Sequence, residues 1–221
     1  MLQQYHEARH SIRADVLTLV EDLAETNKEG LVALMALDSA KLESLRKPLA
    51  VVSERTEKID NAIVLLFARY TPEARDLREM VSYLKITSTL NRIRTNINNY
   101  LKNMQGMLAE ESEEIQGFIQ SSLSINRCTE DAFESIVEMF KTFEDNEKIK
   151  ALAAKIDLEY SKTDDIYTLL EKDVLKKVGI AQGQAEEYFN LLKYIRKNLK
   201  VIDRLDSVAQ RIIFARMGGK L

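Results

Sequence analysis

Hydrophobic residues recur every three or four positions through most of this sequence, which is the spacing of one face of an α-helix. The first such run covers residues 2–37 and predicts one long amphipathic helix, weakened locally at Gly30. Its apolar positions are Ile12, Val16, Leu19, Leu23, Leu31, Leu34 and Met35. Asp38 and Ser39 then predict a turn and the cap of a second helix.

The second and third helices are predicted on either side of a break at Thr71-Pro72. Pro48 should kink the second helix in its first third, because proline removes a backbone donor. The strongest apolar positions of that helix are Ile59, Ile63, Leu66 and Phe67. Thr71 is predicted to cap the third helix, with Pro72 in its first turn and Glu73 near the positive end of its dipole. The third helix should end near Leu108.

The third helix carries an apolar stripe that changes into a polar one. Leu77, Val81 and Leu84 are predicted to start a buried face, and the same stripe continues as Ser88, Asn91, Thr95 and Asn98 or Asn99. Another face has apolar residues throughout, at Leu90, Ile93, Ile97, Tyr100 and Met104. Two interpretations of the polar stripe are open at this point: a solvated helix face, or a groove that binds a partner.

Three more helices follow a weak segment at residues 109–124, which lacks a loop composition and contains Glu110, Glu111, Glu113 and Glu114. The fourth helix should end near Phe143, before a turn at Glu144-Asp145-Asn146. The fifth should run to about Val178 and the sixth from about Ala181 to Arg216. The glycines that mark the last turn and the chain end are Gly179, Gly183 and Gly218-Gly219.

The two halves of the chain resemble each other. When the third helix is aligned on the sixth, residues 90–93 (LNRI) fall on residues 202–205 (IDRL), and Leu77 falls on Phe189. Thr95 then falls on Ser207. This pattern indicates an internal duplication of a three-helix unit. We therefore predict an all-α fold of two tandem three-helix bundles with long antiparallel helices, one at residues 1–108 and one at residues 109–221.

Composition supports the all-α prediction. The chain has 221 residues with seven glycines, two prolines and no tryptophan, which is too few turn formers for a many-stranded sheet protein. A net charge of −3 and a pI near 5.6 argue against a protein that mainly binds nucleic acid. The longest apolar run, residues 62–68, is far shorter than the roughly 20 residues that span a bilayer. The polar start of the chain is unlike a secretory signal, so we expect a cytoplasmic protein.

Cys128 is the only cysteine, so the sequence offers no intramolecular disulfide and no cysteine-based zinc site, and a small core residue is expected. One catalytic motif is present: residues 6–10 read His-Glu-Ala-Arg-His, and Glu29 could supply a third zinc ligand. This set would make the chain a zinc peptidase in which Glu7 is the general base. No phosphate-binding glycine loop and no other nucleophile motif accompany it, so no enzyme is predicted.

Residues 68–78 read ARYTPEARDLR. This segment resembles the "Ar..P.a.DLR" helix start of the PhoU family, accessory regulators of phosphate transport that are built of two tandem three-helix bundles. Residues 90–93 are similar to the family's "LERI", and Ile59-Asp60 and residues 156–160 also match family positions. The matching signature residues are Arg69, Pro72, Arg75, Asp76, Leu77 and Arg78.

The resemblance also implies a metal cluster, which the family holds with an E-x-x-x-D motif on the third helix of each repeat. Here Asn91 and Thr95 occupy the two positions in the first repeat, and neutral amide and hydroxyl groups are weak metal ligands. The second repeat keeps Asp203 but has Ser207 as its partner. A divalent, iron or zinc site is therefore expected only in the second repeat, at Asp203 and the neighbouring Asp206.

By resemblance, the protein is a regulatory adaptor without catalytic activity. Its expected partners are the ATPase of a phosphate ABC transporter and the histidine kinase that senses phosphate, with contact to the membrane only through the transporter. A homodimer is expected, and nucleic acid is not. The polar face predicted to meet a partner consists of Asn91, Arg92, Arg94, Thr95 and Asn99. The alternatives are a PhoU-like paralogue that serves another transporter, the zinc peptidase, and a purely structural helical dimer.

Overall fold

The computed structural model describes residues 2–109, 112–178 and 185–219. Within these ranges the chain is helical and contains no strand, which confirms the all-α prediction. The helices are α1 (Leu2–Met35), α2 (Ser39–Ser44), α3 (Val52–Arg69), α4 (Ala74–Leu108), α5 (Glu113–Lys141), α6 (Asn146–Val178) and α7 (Ala185–Met217). A 3₁₀ turn at Pro48–Val51 leads into α3. The predicted glycine turn at residues 179 and 183, and the start of the sixth helix near residue 181, lie outside the described residues.

Two helix boundaries differ from the prediction. Pro48 does not kink one continuous helix: α2 ends at Ser44, and Pro48 opens a separate 3₁₀ turn, where its missing N–H leaves no unpaired donor. The third helix begins at Ala74, so Thr71 is not its cap and Pro72 is not in its first turn. Glu73 is the N-cap residue, and its carbonyl accepts a hydrogen bond from the Leu77 amide at 2.9 Å. Proline disfavours a helical conformation in the residue before it, here Thr71, and Glu73 is itself extended, with ψ 162°.

The buried face of α4 also differs in part from the prediction. Leu77 is 43% exposed and Val81 and Leu84 are only half-buried, so the predicted buried stripe there is wrong. The buried positions in this part of the helix include Glu79, Ser82 and Thr87, and their polarity hides the true core face in the sequence. The second predicted face is confirmed, because Leu90, Ile93, Ile97, Tyr100 and Met104 are all buried.

The helices form two groups of three that share one hydrophobic core. In the first group α1, α3 and α4 pack together, with α2 against α1 and α4; in the second, α5, α6 and α7 pack together. The two groups meet where α4 lies along α7 and α1 lies along α5. The buried apolar residues of both groups belong to one continuous cluster. The division at residue 108 stays a prediction about the repeat pattern.

The helices α1 and α4 run parallel and approach closely. Arg9 contacts Asp76 near the start of both helices, and Gly30 faces Leu101 near their ends. A Cβ atom on Gly30 would lie 2.9 Å from Cδ2 of Leu101, so a larger residue at this position would require the Leu101 side chain to move. The glycine in α1 therefore has a packing role that outweighs its low helix propensity.

Leu37 closes α1 in a left-handed conformation (φ 54°) that leucine rarely adopts. The Leu37 amide donates to the Leu34 carbonyl (3.2 Å) and the Asp38 amide to the Ala33 carbonyl (2.8 Å), the two bonds of a Schellman motif. We expect Leu37→Gly to raise the free energy of unfolding by about 0.5–1 kcal/mol, because glycine carries no Cβ strain there. Urea denaturation followed by circular dichroism measures the change.

A matched control for Leu37 is Leu158→Gly, at another exposed leucine that lies inside α6. This control should lower the free energy of unfolding by about 1 kcal/mol, the usual penalty for glycine in a helix interior. If Leu37→Gly destabilised the protein as much as the control does, packing of the Leu37 side chain would outweigh its backbone strain, and the prediction would be wrong.

No helix in the described ranges is both long enough and apolar enough to cross a lipid bilayer.

Candidate functional site

The signature segment, residues 69–78, forms the corner between α3 and α4 and is held by α1. Asp76 accepts a hydrogen bond from the Tyr5 hydroxyl at 2.9 Å and an ion-paired hydrogen bond from Arg9. Burial of Tyr5 and its bond to the Asp76 carboxylate raise the pKa of the phenol. The signature aspartate therefore fixes the position of α1 against the start of α4.

One turn further along α4, Glu79 forms a buried ionic cluster with α1. Only 2% of Glu79 is exposed, and its Oε1 accepts hydrogen bonds from Arg13 Nη2 (2.8 Å), Arg13 Nε (3.0 Å) and Tyr83 Oη (2.9 Å). The Arg13 guanidinium also lies 4.2 Å from the centre of the Phe143 ring. Burial opposes the charge of Arg13, but Tyr83 and Glu79 outweigh it and raise the Arg13 pKa. The cluster thus links α1, α4 and the turn that follows α5.

The remaining signature residues contact other helix ends or line a surface cleft. Arg75 pairs with Glu144 at 3.0 Å, and Arg216 of α7 pairs with the same carboxylate at 2.8 Å. The Arg78 guanidinium lies beside Gly218, and its Cζ and Nε atoms are 3.7 Å from the position that a Cβ atom on this glycine would occupy. Arg69 and Pro72 line a cleft of about 570 Å³, together with Tyr5, His6, Tyr70, Thr71, Glu73 and Asp76. The signature therefore mainly joins helix ends.

The polar stripe of α4 is occupied by hydrogen bonds within the chain. Arg94 donates from Nη2 to Ser53 Oγ (2.8 Å) and to Asn91 Oδ1 (2.9 Å), and Ser53 Oγ donates to the same Asn91 oxygen (3.0 Å). Arg46 donates from Nε to Asn98 Oδ1 (3.2 Å). Asn91 and Asn98 of the stripe therefore position two half-buried arginines, while Ser88 and Thr95 are exposed.

The other predicted members of this face have different surroundings. Arg92 is exposed. Thr95 is also exposed, and its hydroxyl donates to the Asn91 carbonyl one turn earlier at 3.0 Å. Asn99 is half-buried. The assignment of Asn91, Arg92, Arg94, Thr95 and Asn99 to a partner-binding face stays a prediction. Sequence reasoning missed Arg46 and Ser53, which lie 52 and 38 residues from their α4 partners.

Comparison with solved structures identifies the fold. The structure of PhoU from Pseudomonas aeruginosa matches with a TM-score of 0.83 and 17% sequence identity, covering 97% of this chain and 100% of that one. The chain has the PhoU fold. The phosphate transport system regulatory protein PhoU from Streptococcus pneumoniae matches with a TM-score of 0.81 and 17% identity, covering 98% of this chain and 99% of that one. No protein-family model and no curated protein sequence matches the chain.

The metal cluster that the PhoU resemblance implies does not suit the first repeat of this PhoU-like chain. Asn91 Oδ1 already accepts bonds from a guanidinium and a hydroxyl, and the Thr95 hydroxyl is bonded to the backbone. A bound cation would be repelled by the charge of Arg94, which sits within hydrogen-bond distance of the amide. Neutral donors and an adjacent guanidinium make a poor site for a metal ion.

In the second repeat the predicted ligands sit on the exposed side of α7. Asp203 is exposed and Asp206 is half-buried. Burial raises the pKa of Asp206, and the carboxylates of Asp157 and Asp203 raise it further. The hydrogen bond from Gln210 lowers this pKa but does not outweigh these effects. Across the described ranges, no three histidine, cysteine, aspartate or glutamate side chains lie close enough together to hold a metal ion. The metal site at Asp203 and Asp206 stays a prediction.

The zinc-peptidase motif does not assemble into a site. His6, Glu7 and His10 are exposed near the start of α1. Glu29 lies on the same helix, nineteen residues after His10, which places it about 28 Å further along the axis. It is instead paired with Lys41 at 2.7 Å. Glu29 cannot share a metal ion with the two histidines, so the predicted ligand set is wrong.

Cys128 is a buried core residue, as expected from the sequence. Burial raises the pKa of its thiol to about 11, and a hydrogen bond to Glu159 adds to the effect. Burial opposes the ionisation of Glu159, but its bonds from Lys162 (2.6 Å) and Cys128 outweigh it and lower the Glu159 pKa. A thiol with a raised pKa is a weak nucleophile, so this cluster has no catalytic character.

Proposed function

We propose that this protein is a PhoU-like regulatory adaptor of phosphate transport and phosphate-starvation signalling, which acts by docking onto other proteins without catalysis. The observation that carries the proposal is the full-length match to PhoU structures, with TM-scores of 0.81 and 0.83 over 97–98% of the chain. The corner formed by the signature segment adds to it, because Asp76 and Arg75 have specific partners there.

In this proposal the adaptor works in the cytoplasm as a homodimer. Its partners are the ATPase of a phosphate ABC transporter and the histidine kinase that senses phosphate, and it reaches the membrane only through the transporter. The candidate catalytic residues of the sequence do not form a site, and the one thiol is buried. Helix surfaces are therefore the parts of this chain that we assign to function.

A second candidate is a PhoU-like paralogue that serves a different transporter. The observation that favours it is the Asn91–Arg94–Ser53 cluster, which occupies the position where the resemblance implies a metal cluster. A chain that has replaced a metal-binding face by a fixed guanidinium presents different chemistry to its partner. The two candidates share a fold and a docking mode, and they differ in their client.

Deletion of the gene in the native host separates the two. We expect a reporter driven by a phosphate-starvation promoter to be expressed in phosphate-rich medium after deletion, at the level that the parent reaches only when starved. Complementation with the intact gene should restore repression. A reporter that remains repressed in the deletion strain would contradict regulation of phosphate genes, and changed uptake of another solute in that strain would favour the paralogue.

A further inference from the structure

Two arginines are held on the same face of α4 by asparagines that lie two turns apart. Asn91 holds Arg94 and Asn98 holds Arg46. The two asparagines are seven residues apart, which is two turns of an α-helix, or about 10.5 Å along the axis on the same side. Arg46 comes from the segment after α2 and is also bonded from Nη1 to Gln105 Oε1 at 3.3 Å. We call Arg46, Arg94 and their two asparagines the two-arginine surface.

The charges of these arginines are not neutralised. Six of the fourteen arginines make ion pairs with a carboxylate on another turn or helix, and Arg46 and Arg94 are among those that do not: the paired ones are Arg9, Arg13, Arg55, Arg75, Arg196 and Arg216. Within the described part of the chain, Arg46 and Arg94 have no carboxylate within 4.0 Å, and their acceptors are amides and a hydroxyl. Glu43 Oε2 accepts a hydrogen bond from Gln105 Nε2 at 3.5 Å but does not form an ion pair with Arg46.

Both guanidiniums keep donors for a ligand. Arg94 uses Nε and Nη2 for its internal bonds, and Arg46 uses Nε and Nη1, so each retains one terminal nitrogen whose N–H groups are not used. Because Asn91, Asn98 and Ser53 already fix the side chains, little rotamer freedom remains to be lost on binding. A fixed guanidinium with one unused terminal nitrogen suits a charge-assisted hydrogen bond to a carboxylate.

We propose that the two-arginine surface binds an acidic helix of a partner protein that presents two carboxylates seven residues apart. The asparagines that hold the two arginines lie two helical turns apart, about 10.5 Å along α4, which corresponds to the i, i+7 spacing of such a helix. A nucleic-acid strand fits this surface less well, because it carries a negative charge at each nucleotide and the chain as a whole is acidic, with a net charge of −3. This inference rests on the proposed docking function and names the surface and the chemistry of the partner.

The test uses the whole chain and two synthetic alanine-rich helical peptides. One carries two glutamates seven positions apart; the other has the same composition with the glutamates five positions apart, on different faces of the helix. Isothermal titration calorimetry at low salt should show at least about tenfold tighter binding of the first peptide, since a charge-assisted hydrogen bond contributes about 1.5–3 kcal/mol. Added salt should weaken that binding, because the contacts are partly exposed.

Variants identify the surface. Arg46→Gln and Arg94→Gln should each weaken binding of the seven-spaced peptide about tenfold, and Arg94→Lys should keep part of the affinity because it retains the charge without the planar fork. The matched control is Arg55→Gln, on the neighbouring α3, whose guanidinium is already paired with Asp22; it should bind as the wild type does. Thermal melts of each variant establish that the fold is retained.

Three results would overturn the proposal: equal binding of both peptides, unchanged binding by the Arg46→Gln, Arg94→Gln double variant, or full competition by inorganic phosphate or an oligonucleotide. The proposed function is tested separately. If gene deletion derepresses phosphate-starvation genes but the double variant complements fully, the surface is wrong and the adaptor function stands. If deletion has no effect, the function fails whatever the peptides do.

Discussion

Replacing Glu79 by alanine will lower the free energy of unfolding by about 3–5 kcal/mol, the cost of leaving a buried charge without its partner. Glu79 is 2% exposed and accepts bonds from Arg13 and Tyr83, so its removal strands a largely buried guanidinium and a buried phenol. The Tyr83 phenol is itself buried, and burial raises its pKa well above the ordinary value. Urea denaturation, followed by circular dichroism, measures the loss.

Two further variants decide whether unpaired charge is the cause. A double variant, Arg13→Met with Glu79→Leu, removes both charges and should recover most of the stability, because apolar residues of similar size often replace a buried pair at little cost. Glu54→Ala removes a carboxylate from the exposed Glu54–Lys58 pair and should leave the stability unchanged. If Glu79→Ala were no more harmful than Glu54→Ala, the buried cluster would not contribute to the fold.

Separated halves of the chain will not fold alone. We expect residues 1–108 and residues 109–221, produced as individual polypeptides, to lack a cooperative unfolding transition. The reason is that α4 packs along α7 and α1 along α5, and the apolar residues of both halves form one cluster. Cutting the chain near residue 108 would expose those faces to water. Circular dichroism melts and sedimentation of each half measure the effect.

Mixing the two halves supplies the control. The mixture should regain a cooperative transition and sediment as a one-to-one complex, because the same faces meet again without the connecting segment. A sharp melt for either half alone would show instead that each repeat is an independent folding domain. Each sequence repeat would then correspond to a unit that is stable by itself.

Much of the fold could be predicted from the sequence because its helices have long, regular apolar faces. The two halves of α4 show where this stops. From Leu90 onward the buried positions are apolar except for Asn96, and the predicted face is buried. Before that point, Glu79, Ser82 and Thr87 are buried and Leu77 is exposed, so polarity is a misleading guide. The charge of the buried Glu79 carboxylate is paired with Arg13, which is 66 residues away, and spacing along one helix cannot reveal that partner.

The candidate site likewise contains residues that a pattern along one helix reveals and residues that reach it from distant parts of the chain. The sequence indicated Arg94 and the polar stripe because they recur along one helix. It did not indicate Arg46 or Ser53, which reach α4 only through the path of the chain between α2 and α3. The aspartates Asp203 and Asp206 were suggested by resemblance, and their surroundings depend on which faces of α6 and α7 meet. Tertiary placement, which local patterns do not encode, decides these contacts.

Helix α4 is a single rod of 35 residues, about 52 Å long, without an internal proline. Glu79 ties it to α1 at one end and its inner face lies along α7, so it has little freedom to tilt. A partner bound at Arg46 and Arg94 would therefore meet a rigid body. Association would proceed in one fast, salt-sensitive kinetic phase without a slow rearrangement, and the lifetime of the complex would be set by breaking the guanidinium contacts.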